Sequence, residues 1–203
     1  RQKQSGSPHY KPFVYASWII EVNLFGMAAK VFHRHNLFLH MINSLLMFFV
    51  CLQLARFWLK NKQTLYSVAF ILAMLFAVHP IHVESVAWAV ERKDVLFTMF
   101  LLGSLLCYLR YVREGQAMKW LVLAMVLWVL SLLSKATGIT LLGVLFLVDY
   151  AAKRKLDKQL FIEKIGFAVI FIGAVFMFGL ADFGGQAKAC LLYTSDAADE
   201  RHC

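Results

Sequence analysis

Uncharged apolar runs separated by short knots of charge dominate this chain. The runs are Leu37–Ala55, with one polar ring at His40, then Thr64–Val78, Val95–Leu109, Trp120–Ser134, Ala136–Val148 and Ile165–Ala181. A helical run of 15 to 19 such residues would be roughly 22 to 28 Å long, slightly short of a hydrocarbon core of about 30 Å. Snorkelling Lys and Arg at the ends, or local thinning of the bilayer, would cover the difference. The pattern predicts an all-α polytopic membrane protein with about six transmembrane helices.

Two stretches are ambiguous. Trp120–Val148 reads either as one span of 29 residues broken only by Lys135, or as two short helices turning at Ser134-Lys135-Ala136-Thr137-Gly138. The hairpin fits the distribution of charge better. Phe13–Phe25 is apolar but carries Glu21 and Asn23 and is too short to span. It reads as an amphipathic helix in the outer interface, with a distorted span as the alternative.

Composition supports a membrane setting. The chain is 61% hydrophobic and 15% aromatic, with only 16% charged residues, more apolar surface than a soluble domain covers. Its net charge of +9 does not signal nucleic acid, because the basic residues fall between apolar runs instead of forming one patch. Cys51 and Cys107 lie inside apolar runs and read as small hydrophobes.

The loops Arg56–Gln63, Arg110–Lys119 and Ala151–Lys164 share one side if each run spans once, and they hold eleven Lys and Arg. The other side holds five: Lys30, Arg34, Arg92, Lys93 and Lys135. The positive-inside rule puts the richer side in the cytoplasm. The exoplasmic side then carries the unusual polar groups.

Three groups could carry chemistry. His33, Asn36, His40 and Asn43 recur at helical spacing on one face, and Asn43 lies about 15 Å deeper than His33. Such groups either bond between helices or wall a wet cavity. Next comes His79-Pro80-x-His82-x-Glu84, where Pro80 should end the preceding helix near Val78. These histidines suit structural hydrogen bonds, contacts to a carrier or acceptor or, on weak spacing evidence, a metal. We assign no metal ligand. Last are Arg92-Lys93-Asp94 and Lys135, whose cations read as interfacial anchors or as a grip on a lipid phosphate. Asp149, ending a span beside Tyr150, reads as structural.

These motifs, in order, resemble one family. Tyr10-Lys-Pro12, Phe32-His-x-x-Asn36-x-x-x-His40-x-x-Asn43, His79-Pro-Ile-His-Val-Glu-Ser-Val-Ala-Trp88, Arg92-Lys-Asp94, Ser134-Lys135 and Val148-Asp-Tyr150 are similar to the GT-C-type protein O-mannosyltransferases that carry tetratricopeptide repeats, and to their bacterial relatives. The resemblance covers roughly residues 8–181. It implies a GT-C-like bundle and inverting transfer of a mannose-type sugar from a polyprenyl-phosphate donor to a protein Ser or Thr hydroxyl on the exoplasmic face. That reaction needs a carboxylate to take the hydroxyl proton and cations to stabilise the leaving phosphate. His40, His79, His82, Arg92, Lys93 and Lys135 are the candidate substrate-binding residues. Glu84 and Asp94 are supporting carboxylates, because the family's catalytic acid falls in a loop ahead of residue 1. The implied partners are the lipid-linked donor, a protein acceptor and membrane lipid, with no cofactor. A GT-C relative acting on a lipid or glycan, and a membrane transporter, are the alternative readings.

The expected organisation is the end of an exoplasmic loop with the interfacial helix at 1–31, the membrane domain at 32–181 and the start of another exoplasmic loop at 182–189. Residues 190–203, Cys190-Leu-Leu-Tyr-Thr-Ser-Asp-Ala-Ala-Asp-Glu-Arg-His-Cys, resemble a translated sequencing adapter and are left out of fold reasoning. On this reading the chain is an internal fragment, expected to be inactive alone.

Overall fold

The computed structural model describes residues 12–88, 91–115, 117–155 and 157–177. The segment before Pro12, the loop start at 182–189 and the adapter-like tail at 190–203 lie outside the described residues. Among the described residues every regular element is helical: α1 (Pro12–Phe25), α2 (Ala29–Ala55), α3 (Lys62–Val78), α4 (His82–Ala87), α5 (Arg92–Arg113), α6 (Met118–Ser134), a 3-10 turn (Ala136–Thr140), α7 (Leu141–Ala151) and α8 (Lys158–Met177). The protein is an all-α membrane protein. α2, α5 and α8 are long and apolar enough to cross a bilayer, whereas α3 and α6 stop at 17 residues each.

Local sequence sets these ends. Gly26 and Gly115 adopt positive φ, 77° and 68°, and close α1 and α5 in a conformation that costs glycine little. Asn61 caps α3 by accepting from the backbone of Gln63 and Thr64 at 2.9 and 3.4 Å. Pro80 stops the same helix at Val78, and His79 turns extended at φ −65°, ψ 129°. The segment after Ser134 is a break, not one long helix. Trp128 donates from Nε1 to Gly138 O at 2.7 Å, folding the 3-10 turn back along α6. A Cβ on Gly138 would meet Ser131 Oγ at 3.1 Å, so any larger residue there would need Ser131 to shift by a few tenths of an ångström.

Interhelical contacts give the up-and-down order. Asn36 of α2 reaches Arg92 and Gln53 reaches Arg113, so α2 and α5 run parallel. α3 returns between these levels, with His40 against Ala77 and Leu52 packed with Leu65. α6 runs back along α5, pairing Ser104 Oγ with Ala124 O at 2.7 Å and Ser131 Oγ with Phe97 O at 3.2 Å. α7 descends again, since Lys135 meets Asp94 above it while Asp149 meets Tyr108 below. α1 packs Phe13 and Val14 on Phe100 and Leu96, and exposes Tyr15, Ile19, Ile20 and Leu24.

The main core lies among α5, α6, α7 and α8, around Tyr108, Trp128, Leu141, Leu145 and Phe167, all at most 1% exposed. Lipid is as apolar as these side chains, so close packing and interhelical hydrogen bonds hold such a bundle, at roughly 0.6 to 2 kcal/mol per bond. The apolar faces turned outward, such as Phe70, Ile71, Met74 and Leu75 of α3, suit acyl chains.

Candidate functional site

The α5 start, the α3–α4 turn and the tip before the 3-10 turn converge at one end of the bundle. Arg92, the first residue of α5, is 3% exposed. Its Nη1 donates to the Glu21 carboxylate of α1, its Nε to Asn36 Oδ1 at 2.9 Å and its Nη2 to Phe32 O at 3.3 Å. Glu21 also meets His35 Nδ1. Burial works against the Glu21 carboxylate, yet Arg92 and His35 outweigh it and hold its pKa below the ordinary value. All three guanidinium nitrogens are therefore engaged within the protein.

The histidines form a second group. His40 Nε2 bonds Ala77 O at 3.0 Å, a carbonyl near the helix end that Pro80 imposes. The His40 ring lies 5.6 Å from Phe76 and 5.3 Å from His82, while His79 is 6.2 Å from His82. Burial, then His40 and His79, lower the His82 pKa. His40 is buried, while His79 and Glu84 are exposed on the rim. Asn43 donates to Val95 O at 2.9 Å and Asn36 to Trp88 O at 3.1 Å, so this polar stripe of α2 ties helices together.

Two ion pairs stand more open. Lys135 Nζ lies 2.6 Å from Asp94 Oδ1, with side chains 33% and 25% exposed. Lys93 Nζ lies 2.8 Å from Glu91 Oε1, at 20% and 17%. Lys135, at the turn between two apolar runs, therefore carries its own carboxylate. Such partly solvated pairs can exchange one oxyanion for another.

The opposite end is built differently. Tyr108 OH donates to Asp149 at 2.7 Å, Lys164 Nζ lies 2.6 Å from Asp149, and Arg154 bridges Asp149 and Glu163 at 3.1 and 2.8 Å. Tyr111 OH completes the network on Glu163. Asp149 is thus bonded into the packing, and no member is more than 10% exposed.

Sequence reasoning had missed several of these residues. Glu21 appeared only as an interruption of α1, His35 was passed over for His33, and Tyr108, Tyr111 and Glu163 were not singled out. The available signal was Glu21 itself, a carboxylate in an apolar segment that demands a buried cation. His33 is exposed.

Comparison with known proteins bears on the family and not on individual site residues. Residues 11–180 match the family model described as dolichyl-phosphate-mannose-protein mannosyltransferase. The chain is 34% identical to Mus musculus protein O-mannosyl-transferase TMTC1 over 159 residues, 73% of this chain and 16% of that protein. It is 31% identical to Homo sapiens protein O-mannosyl-transferase TMTC4, covering 77% of this chain and 23% of that protein. Drosophila melanogaster protein O-mannosyl-transferase Tmtc2 is 36% identical, covering 68% and 15%. The chain therefore spans less than a quarter of the length of these relatives. No solved structure matches.

Proposed function

Because this chain belongs to the dolichyl-phosphate-mannose-protein mannosyltransferase family, we propose that it forms part of a membrane glycosyltransferase working at the Arg92 end of the bundle. The enzyme would move a mannose-type sugar from a polyprenyl-phosphate donor to a Ser or Thr hydroxyl of a protein. The hydroxyl oxygen attacks the anomeric carbon, the bond from that carbon to the phosphate oxygen breaks, and the lipid phosphate leaves with the bonding pair. A carboxylate takes the hydroxyl proton. The lower number of basic residues at the Arg92 end favours the exoplasmic side for this chemistry.

The observation that carries this reading is the pair of half-open ion pairs, Lys135–Asp94 and Lys93–Glu91, beside a fully compensated Arg92. Lys135 and Lys93 would bind the phosphate. Lys135 would exchange Asp94 for it, and the charge it needs is already in place. Arg92 and His40 are positioning residues on this reading, holding α1, α2 and α3 around the site. His79, His82 and Glu84 lie where an acceptor or carrier would pass, and Asp94 and Glu84 serve as supporting carboxylates. The base itself is assigned to no residue of this chain.

Lys135→Ala in the intact parent protein tests this. Donor-dependent transfer should fall by about 10² to 10³ with membrane insertion unchanged, and Lys135→Arg should restore part of it. Unchanged turnover would remove Lys135 from the site.

A further inference from the structure

A half-open cavity of about 480 Å³ lies between α6 and α8 at the end opposite the proposed transfer site. Met118, Leu121 and Met125 line one wall at helical spacing, and Lys158 and Ile162 line the other. Its back is closed by Tyr111 and Glu163, both under 5% exposed and bonded to each other. The slot starts at the first residue of α8, where Lys158 is exposed, and descends roughly two turns beside α6. It ends where Gly166 lets Met125 approach: a Cβ there would stand 2.6 Å from Met125 Cε.

This shape has a cationic mouth at Lys158 beside Gln159, a polar back and an otherwise apolar lining. A channel of that kind in the hydrocarbon layer holds neither water nor vacuum comfortably, because its floor offers no hydrogen-bonding partner. The two methionines supply flexible, adaptable walls. Of the eleven basic residues in the loops on this side, Arg154 and Lys164 are paired with buried carboxylates; the other nine outnumber Glu114 and Asp157, so the mouth lies in a positive field. We propose that the α6–α8 slot is a binding site for an anionic glycerophospholipid of the surrounding bilayer, with its phosphate on Lys158 and one acyl chain running down to Met125. The site is separate from the transfer chemistry and does not depend on it.

The test uses the intact parent protein carrying a photoreactive diazirine residue at Met118, reconstituted in phosphatidylcholine with a minority of phosphatidylglycerol. One lysine at the surface favours an anionic lipid by about 1 kcal/mol, so phosphatidylglycerol should be enriched about fivefold among the lipid adducts. Lys158→Glu should abolish that enrichment, and Ile162→Trp, which fills the slot, should remove the lipid adducts altogether. Adducts without headgroup preference would overturn the proposal. So would adducts to another segment of the protein or to a second copy, since these would show that protein fills the slot.

Discussion

Removing the Arg92 guanidinium should be one of the most damaging single changes at this end of the bundle. Arg92 is 3% exposed and Glu21 5%, so Arg92→Ala strands a buried carboxylate together with Asn36 Oδ1 and Phe32 O. Breaking a buried ion pair from one side costs about 3 to 5 kcal/mol, mostly from the charge left behind. Replacing both partners, Glu21→Leu with Arg92→Met, removes the stranded charge and should recover most of that loss. Equilibrium unfolding of the intact protein in detergent, followed by tryptophan fluorescence, would give both values. The Glu21 pKa is depressed on folding, so its contribution is complete above the ordinary 4.5 and disappears as pH falls through the folded value below it. The double variant should lose that acid limb. If Arg92→Ala changed stability by less than about 1 kcal/mol yet abolished sugar transfer, Arg92 would be a substrate contact and the positioning role assigned to it would be wrong.

Two further outcomes follow from the remaining clusters. Asp149→Leu leaves Lys164 and Arg154 without one of their carboxylates, and should cost about 3 to 5 kcal/mol in the same unfolding assay; a loss below about 1 kcal/mol would show that Glu163 alone suffices. His82 has a lowered pKa, so its neutral form supports the fold above the ordinary 6.5 and protonation erodes that support as pH falls below it. Thermal midpoints of the parent should therefore drop more than those of His82→Phe between about pH 7 and 5, and parallel curves would exclude His82 as the source.

Much of the fold was legible because its signals are local. Pro80 removes a backbone donor and restricts His79, so the end of α3 at Val78 follows from two residues. The small residues around Lys135 marked the reversal that separates α6 from α7. Partnership was not legible. Helical periodicity places Asn36 and His40 on one face, but it does not say that Arg92 will be bound by Glu21, 71 residues earlier. α2 is also packed on more than one side: Asn36, His40 and Asn43 face α3, α4 and α5, while His35 faces α1. A stripe defined by one face therefore selected His33 and missed His35. Arg154 and Lys164 failed for another reason, because loop cations near a span look like ordinary interfacial anchors until a buried carboxylate is found against them.

Charge by itself does not mark the working end, since any ionisable group at membrane depth must be compensated whether or not it acts. Both ends meet that demand with roughly matched cations and carboxylates. They differ in what the compensation leaves open. The Asp149 network has no side chain more than 10% exposed, and a substrate phosphate could reach Lys164 only by dismantling the packing of three helices. Lys135 and Asp94 keep a quarter to a third of their surface, so on the proposed reading an incoming oxyanion would replace the carboxylate without first uncovering a bare charge. That exchange would keep the lysine paired throughout, so the desolvation cost met on folding would not be incurred again on binding. Arg92 begins the same helix two residues before Asp94, with each of its three guanidinium nitrogens bonded within the protein, and so supplies rigidity to the α5 start from which Lys93 and Asp94 project.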